Sequence, residues 1–158
     1  MIILWTTSFS ILLFLYIFKD KNADLRFVIL GSLFPVFLDF LLYFLGVTQQ
    51  SKFIGHSIFF IIILFFLVMI ITKRGTLFRS NALLFSIGSF FYLVLSFTWL
   101  NQQEILYPLF EQSDENFALS NNIQFLLGVL GIFYLLFKIK NFAALKTFIR
   151  TGKFTYSK

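Results

Sequence analysis

The strongest constraint on this chain is a series of apolar runs too long and too closely spaced for a fold that faces water. Residues 2–18, 27–46, 53–72, 82–100 and about 123–137 are dominated by Leu, Ile, Phe and Val, and charge is concentrated in the segments between them. A helix that crosses a bilayer needs about 20 mostly apolar residues, within a working range of about 17–25. β-branched and aromatic residues are abundant in these runs, which in water would argue for strands. In lipid the backbone must satisfy its own N–H and C=O groups, so only helices or closed barrels span, and uninterrupted runs lack a barrel strand's alternation. Composition agrees: 59% of the 158 residues are hydrophobic and 13% charged, against about 25% charged in a soluble domain. The expected fold class is all-α, a polytopic membrane helical bundle of five transmembrane helices. It forms one domain, 1–137, followed by a basic interfacial tail, 138–158.

The basic residues set an orientation. Lys19, Lys21 and Arg26 fall in the first connection and Lys73, Arg74 and Arg79 in the third. Lys138, Lys140, Lys146, Arg150, Lys153 and Lys158 follow the fifth run. The second connection holds only Lys52, and the fourth carries Glu104, Glu111, Asp114 and Glu115. Alternation of this kind is the positive-inside pattern. It predicts an outer N-terminus, a cytoplasmic C-terminus and a multi-pass protein of the cell membrane whose partner is the lipid bilayer. The net charge of +6 is then a topology signal, and no nucleic-acid partner is expected. Residues 2–18 lack a basic n-region and a small-residue cleavage site, so a retained helix is expected rather than a signal peptide. Without cysteine there is neither a disulfide framework nor a thiolate metal site. Past residue 137, Phe142, Leu145, Phe148 and Ile149 fall near one helical face among lysines, which suits a helix at an anionic membrane surface.

Two ionisable residues interrupt the hydrocarbon. Asp39 lies inside the second run, and His56, the sole histidine, stands at the start of the third within Gly55-His56-Ser57. An ionisable group at the centre of a membrane helix costs roughly 3 kcal/mol or more, so each marks a candidate functional position. At about 1.5 Å of rise per residue, Asp39, His56, Tyr92 and Ser96 reach similar depths near the outer face. Pro35, one turn before Asp39, removes a backbone donor and can kink its helix, and Gly31-Ser32 permits close helix approach. A shallow polar cavity open to the outside is expected there. Two readings stand side by side. Asp39 and His56 either pair and neutralise each other's burial, or act as ligands of a divalent metal such as zinc, which takes three or four His or carboxylate ligands. Glu104 is the nearest third ligand or general base. Tyr92 and Ser96 read as helix-packing hydrogen bonds, Ser57 as a helix-start cap rather than a nucleophile, and Ser80-Asn81 as the cap of the fourth helix.

Three blocks also carry a family resemblance. Gly31-Ser32-Leu33-Phe34-Pro35 with Asp39, then Phe53-Ile54-Gly55-His56-Ser57, then Tyr92-Leu93-Val94-Leu95-Ser96 followed by Trp99 and Leu106-Tyr107-Pro108, resemble the YdjM-like inner-membrane family of predicted metal-dependent hydrolases. The likeness runs from about residue 28 to 110. The metal-site side chains it implies are two carboxylates in Pro-Asp-x-x-Asp, the histidine of Gly-His-Ser/Thr, and the pair in His-x-x-x-Asp. Here Val36 replaces the first carboxylate, Tyr92 the second histidine and Ser96 the last aspartate, while Asp39 and His56 remain. The resemblance therefore implies the family's frame around a reduced metal centre. One functional expectation is a catalytically silent scaffold or binding protein in which Asp39 and His56 hold helices together. The alternative is a metal-dependent hydrolase acting on a lipid-like or phosphate-bearing substrate at the outer leaflet. An ion or proton path is the weakest reading, because no ionisable residue continues through the inner halves of these helices.

Overall fold

The computed structural model describes residues 2–20, 22–47, 54–110, 120–139 and 142–153. Regular structure among them is helical throughout: α1 (Ile2–Ile17), α2 (Leu25–Phe44), α3 (Ile58–Ile71), α4 (Leu77–Leu95), the short α5 (Gln102–Ile105), α6 (Asn121–Ile139) and α7 (Phe142–Thr151). Three of these helices, α2, α4 and α6, are long and apolar enough to cross a membrane. The apolar helices α1 and α3 are shorter, at 16 and 14 residues.

Local chemistry explains where the helices differ from the apolar runs. Asp24 starts α2 by accepting from the Arg26 backbone N–H. Helix α4 begins at Leu77 instead of about residue 82, because Thr76 supplies the cap, accepting from the Arg79 N–H, rather than Ser80 and Asn81. It ends at Leu95, short of residue 100, because Phe97 takes a left-handed conformation at φ 60. A 3-10 turn, Thr98–Leu100, and α5 follow that break. The third run opens with a 3-10 turn, Ile54–His56, and Ser57 then caps α3 by accepting from the Phe59 N–H at 3.2 Å. At about 2.0 Å per residue in the 3-10 turn and about 1.5 Å in the helix, turn and helix together reach about 27 Å, close to a bilayer's hydrocarbon thickness.

Small residues decide which helices touch. A Cβ on Gly31 would collide with the Phe85 carbonyl, and one on Gly88 with the Val28 carbonyl, so the backbones of α2 and α4 meet face to face. The chain runs in the same direction in both. Helices α1 and α6 are likewise parallel, with Gly128 against the Trp5 backbone and Gly131 against Ser8. Helix α1 also touches α2 and α4, and the Trp5 indole N–H donates to the Leu95 carbonyl at 3.1 Å. Ser8, Ser32, Ser86 and Ser89 are buried, while Phe44, Ile70 and Phe137 are more than 70% exposed. These four hydroxyls return to carbonyls one turn back, as in Ser8 to Leu4 at 2.8 Å and Ser86 to Ala82 at 3.1 Å, so they are satisfied within their own helices. Small polar residues inside and bulky hydrocarbon outside is the packing logic of helices in lipid.

At the opposite end from Trp5 and Leu95, α7 folds back on the start of α2. The Leu25 N–H donates to the Gly152 carbonyl at 2.9 Å, and Arg26 Nη1 donates to the Arg150 carbonyl at 3.0 Å. Leu145 and Phe148 pack against the buried core around Phe14, Leu25 and Leu135. Ile149, expected on the same apolar face, is 67% exposed, and the Phe142 side chain lies outside the described residues. The Arg26 guanidinium beside Asp24 holds its carboxyl below the usual carboxylate range.

Candidate functional site

Asp39 sits on the buried face of α2, about one and a half turns from its C-terminal end. Facing it is the 3-10 turn at 54–56, and the approach there requires a glycine. A Cβ on Gly55 would lie 2.5 Å from the Pro35 carbonyl and 2.9 Å from Asp39 Oδ1. Without that Cβ, the Gly55 N–H reaches Asp39 Oδ1 at 2.8 Å. The next residue brings His56 Nδ1 to 2.5 Å from Asp39 Oδ2. On the far edge of the ring, Nε2 lies 2.8 Å from the Tyr92 hydroxyl of α4, with the two rings edge to face at 5.3 Å. Asp39 is 1%, His56 5% and Tyr92 1% exposed. In place of the expected open polar cavity, these three side chains form a closed, packed row across α2, the 3-10 turn and α4.

The protons in this row follow from donor inventory. An ionised carboxylate only accepts, so Nδ1 carries the hydrogen toward Asp39. With a neutral ring, Nε2 is then an acceptor and the tyrosine O–H donates to it. Each polar atom of the imidazole has a partner, which is what burial of a histidine demands.

The supporting residues fall around this row. Pro35 lies within α2, which continues as one helix from Leu25 to Phe44. Its missing N–H would otherwise bond the carbonyl four residues back, that of Gly31, and the Ser89 hydroxyl of α4 donates to that carbonyl at 2.9 Å. Ser57 has two duties: it caps α3, and its hydroxyl donates to the Tyr107 carbonyl at 2.5 Å, clamping the segment after α5 onto the start of α3. Ser96 is engaged locally, donating to the Leu93 carbonyl at 3.1 Å and sharing a 2.8 Å hydrogen bond with Thr98. The Glu104 side chain lies outside the described residues, as do Glu111, Asp114 and Glu115.

The donor set can be tested against a metal. Asp39 and Tyr92 occupy opposite edges of the His56 ring, so the carboxylate and the phenol do not converge with it on one point. Among the described residues no group of three His, Cys, Asp or Glu side chains is placed to hold an ion. Among the described residues Asp39 and His56 supply one carboxylate and one imidazole, where zinc takes three or four ligands.

Sequence reasoning did not single out Gly55 as the residue that admits the carboxylate, or Ser89 and Thr98. The spacing Gly31 to Pro35 is the signal that could have found Ser89, because a proline inside a membrane helix leaves a carbonyl that a hydroxyl from a neighbour can satisfy. Comparison with known proteins adds no relative: no family model, no curated protein and no solved structure matches the chain.

Proposed function

We propose that the chain is a five-span membrane protein, outer at its N-terminus and cytoplasmic at its C-terminus, that keeps a YdjM-like frame but uses the former metal positions as a structural staple. Its role is that of a membrane scaffold or binding protein rather than a hydrolase. The observation that supports this most directly is the Tyr92 hydroxyl at Nε2 of His56. A tyrosine standing where the resembled family has a histidine takes up the nitrogen that would face an ion, and Asp39 takes the other. Parallel pairing of α1 with α6 and of α2 with α4 fits alternate crossings, and Lys73 and Arg74 follow α3 at the end where α7 docks on α2.

Metal content separates this reading from its rival. Detergent-purified protein is expected to carry substoichiometric zinc, manganese and iron, with His56→Ala changing stability and not metal content. Near-stoichiometric metal that disappears in His56→Ala would restore the hydrolase acting at the outer leaflet. The topology is checked on the cysteine-free chain: Gln103→Cys should label from outside intact cells, and Lys153→Cys only after permeabilisation.

A further inference from the structure

The outward face between α1 and α6 carries a groove of about 570 Å³ walled by apolar side chains, among them Phe9, Leu12, Leu130, Phe133 and Phe137. From Leu127 to Phe137 it follows α6 for about 15 Å, half of a hydrocarbon core about 30 Å thick. It ends against a second recess of about 310 Å³ that shares Leu12 and Tyr134 with it and adds Tyr16, Lys19 and Lys138. Lys138 Nζ stands 5.8 Å from the Tyr134 ring centroid. Lys19 is exposed and Lys138 half-buried. Charge therefore comes first, then two tyrosines, then unbroken hydrocarbon, within one leaflet's depth.

We propose that this face is a binding site for an anionic phospholipid of the cytoplasmic leaflet, its phosphate between Lys19 and Lys138 and one acyl chain along the α1–α6 groove. The proposal rests on the membrane orientation given above. Two observations select a lipid over other occupants. The order of polarity along the groove matches an acidic amphiphile, and the two cations lie at the end where basic residues are concentrated, the leaflet in which anionic lipids are attracted by such residues. Tyrosines at the boundary suit the headgroup level. Gly128 and Gly131 draw α6 onto α1, so both walls of the groove are backed by fixed helices.

The test is electron spin resonance of the full chain in phosphatidylcholine vesicles, with spin-labelled phosphatidylglycerol or phosphatidylcholine as probe. Wild type is expected to restrict phosphatidylglycerol at least about threefold more strongly than phosphatidylcholine, with the preference falling as salt is raised. Lys19→Gln with Lys138→Gln should bring the ratio to about one, while Lys73→Gln with Arg74→Gln, on the same end but off the groove, leaves it unchanged. Leu130→Trp, which fills the groove and keeps both lysines, should also lower the ratio. A restricted component with equal affinity for the two lipids, or a preference that survives Leu130→Trp, would overturn the site and leave the membrane reading standing. Absence of any restricted component with either lipid would overturn both.

Discussion

The Tyr92 hydroxyl lies 2.8 Å from Nε2 of His56, two buried side chains from different helical segments closing the outer edge of a ring whose inner edge is held by Asp39. That contact turns an ionisable pair into a three-segment tie, since α2, the turn before α3 and α4 each contribute one member. Removing either outer member leaves a buried polar group without its partner.

Denaturant titration of detergent-solubilised variants measures the tie. His56→Ala should cost about 3–5 kcal/mol, because it takes the imidazole away from Asp39 Oδ2 in a dry interior. Tyr92→Phe should cost about 1–3 kcal/mol through the unsatisfied Nε2. The two losses should be non-additive in the double variant, since both act through one ring. Changes within about 0.5 kcal/mol for both single variants would show that the row contributes nothing to stability.

Ligand restoration probes the resemblance from the opposite direction. Val36→Asp, Tyr92→His and Ser96→Asp together rebuild, around Asp39 and His56, the donor set of the family the three blocks resemble. This triple variant is expected to bind about one zinc per chain by metal analysis, since it then holds at least the three or four His and carboxylate ligands zinc takes. Failure of the folded variant to take up zinc would show that the frame differs from the one the three blocks suggest.

Close contact of α2 and α4 should be the packing feature least tolerant of change. Gly31→Ala places a methyl on the Phe85 carbonyl and Gly88→Ala on the Val28 carbonyl, and neither obstacle is a side chain that can rotate away. Each variant should lose about 1–3 kcal/mol or more, visible as a lower melting temperature. Gly31→Ala should also separate Ser89 from the carbonyl that Pro35 leaves open. A methyl accepted at both positions without loss would mean the helices are not in backbone contact.

Acid should loosen the docked tail. The Asp24 carboxyl, lowered by its bond to Arg26, titrates below its unfolded value. Its contribution is full above about pH 4 and is lost as pH falls through the folded value. A nitroxide on Lys146→Cys should report an immobile α7 from neutral pH down to about 5 and increasing motion below about 4. Asp24→Asn should remove that acid step and leave α7 loosened throughout. An unchanged spectrum in Asp24→Asn would exclude Asp24 as the latch.

Helices and their order were legible because long apolar runs admit little else in lipid. Asp39 and His56 were legible for a related reason, since an ionisable group stands out against hydrocarbon. Helix ends were less so. Thr76 lies within a polar Lys-Arg-Gly-Thr stretch that reads as loop, and the left-handed Phe97 that stops α4 has no local signature, phenylalanine being no usual occupant of that conformation. Pro35 reads as a position that can kink its helix; α2 runs on through it, and the freed Gly31 carbonyl is taken by Ser89. Partners of that kind stay hidden because a main-chain carbonyl looks the same at every position of a sequence. Tyr92 read as a packing hydrogen bond; its place on the histidine became visible only once Gly55 had brought the turn against α2.

Leu25 and Gly152 join the beginning of the second helix to the far side of the seventh. Segments distant in sequence meet late on a growing polypeptide, so during synthesis this margin of the bundle stays unlatched until the ribosome has passed residue 152. The five apolar helices can assemble before then, but Arg26 and the Leu25 amide must wait for their acceptors. Chain growth itself thus supplies an order of assembly, in which the row beneath the opposite face closes first and the clasp follows.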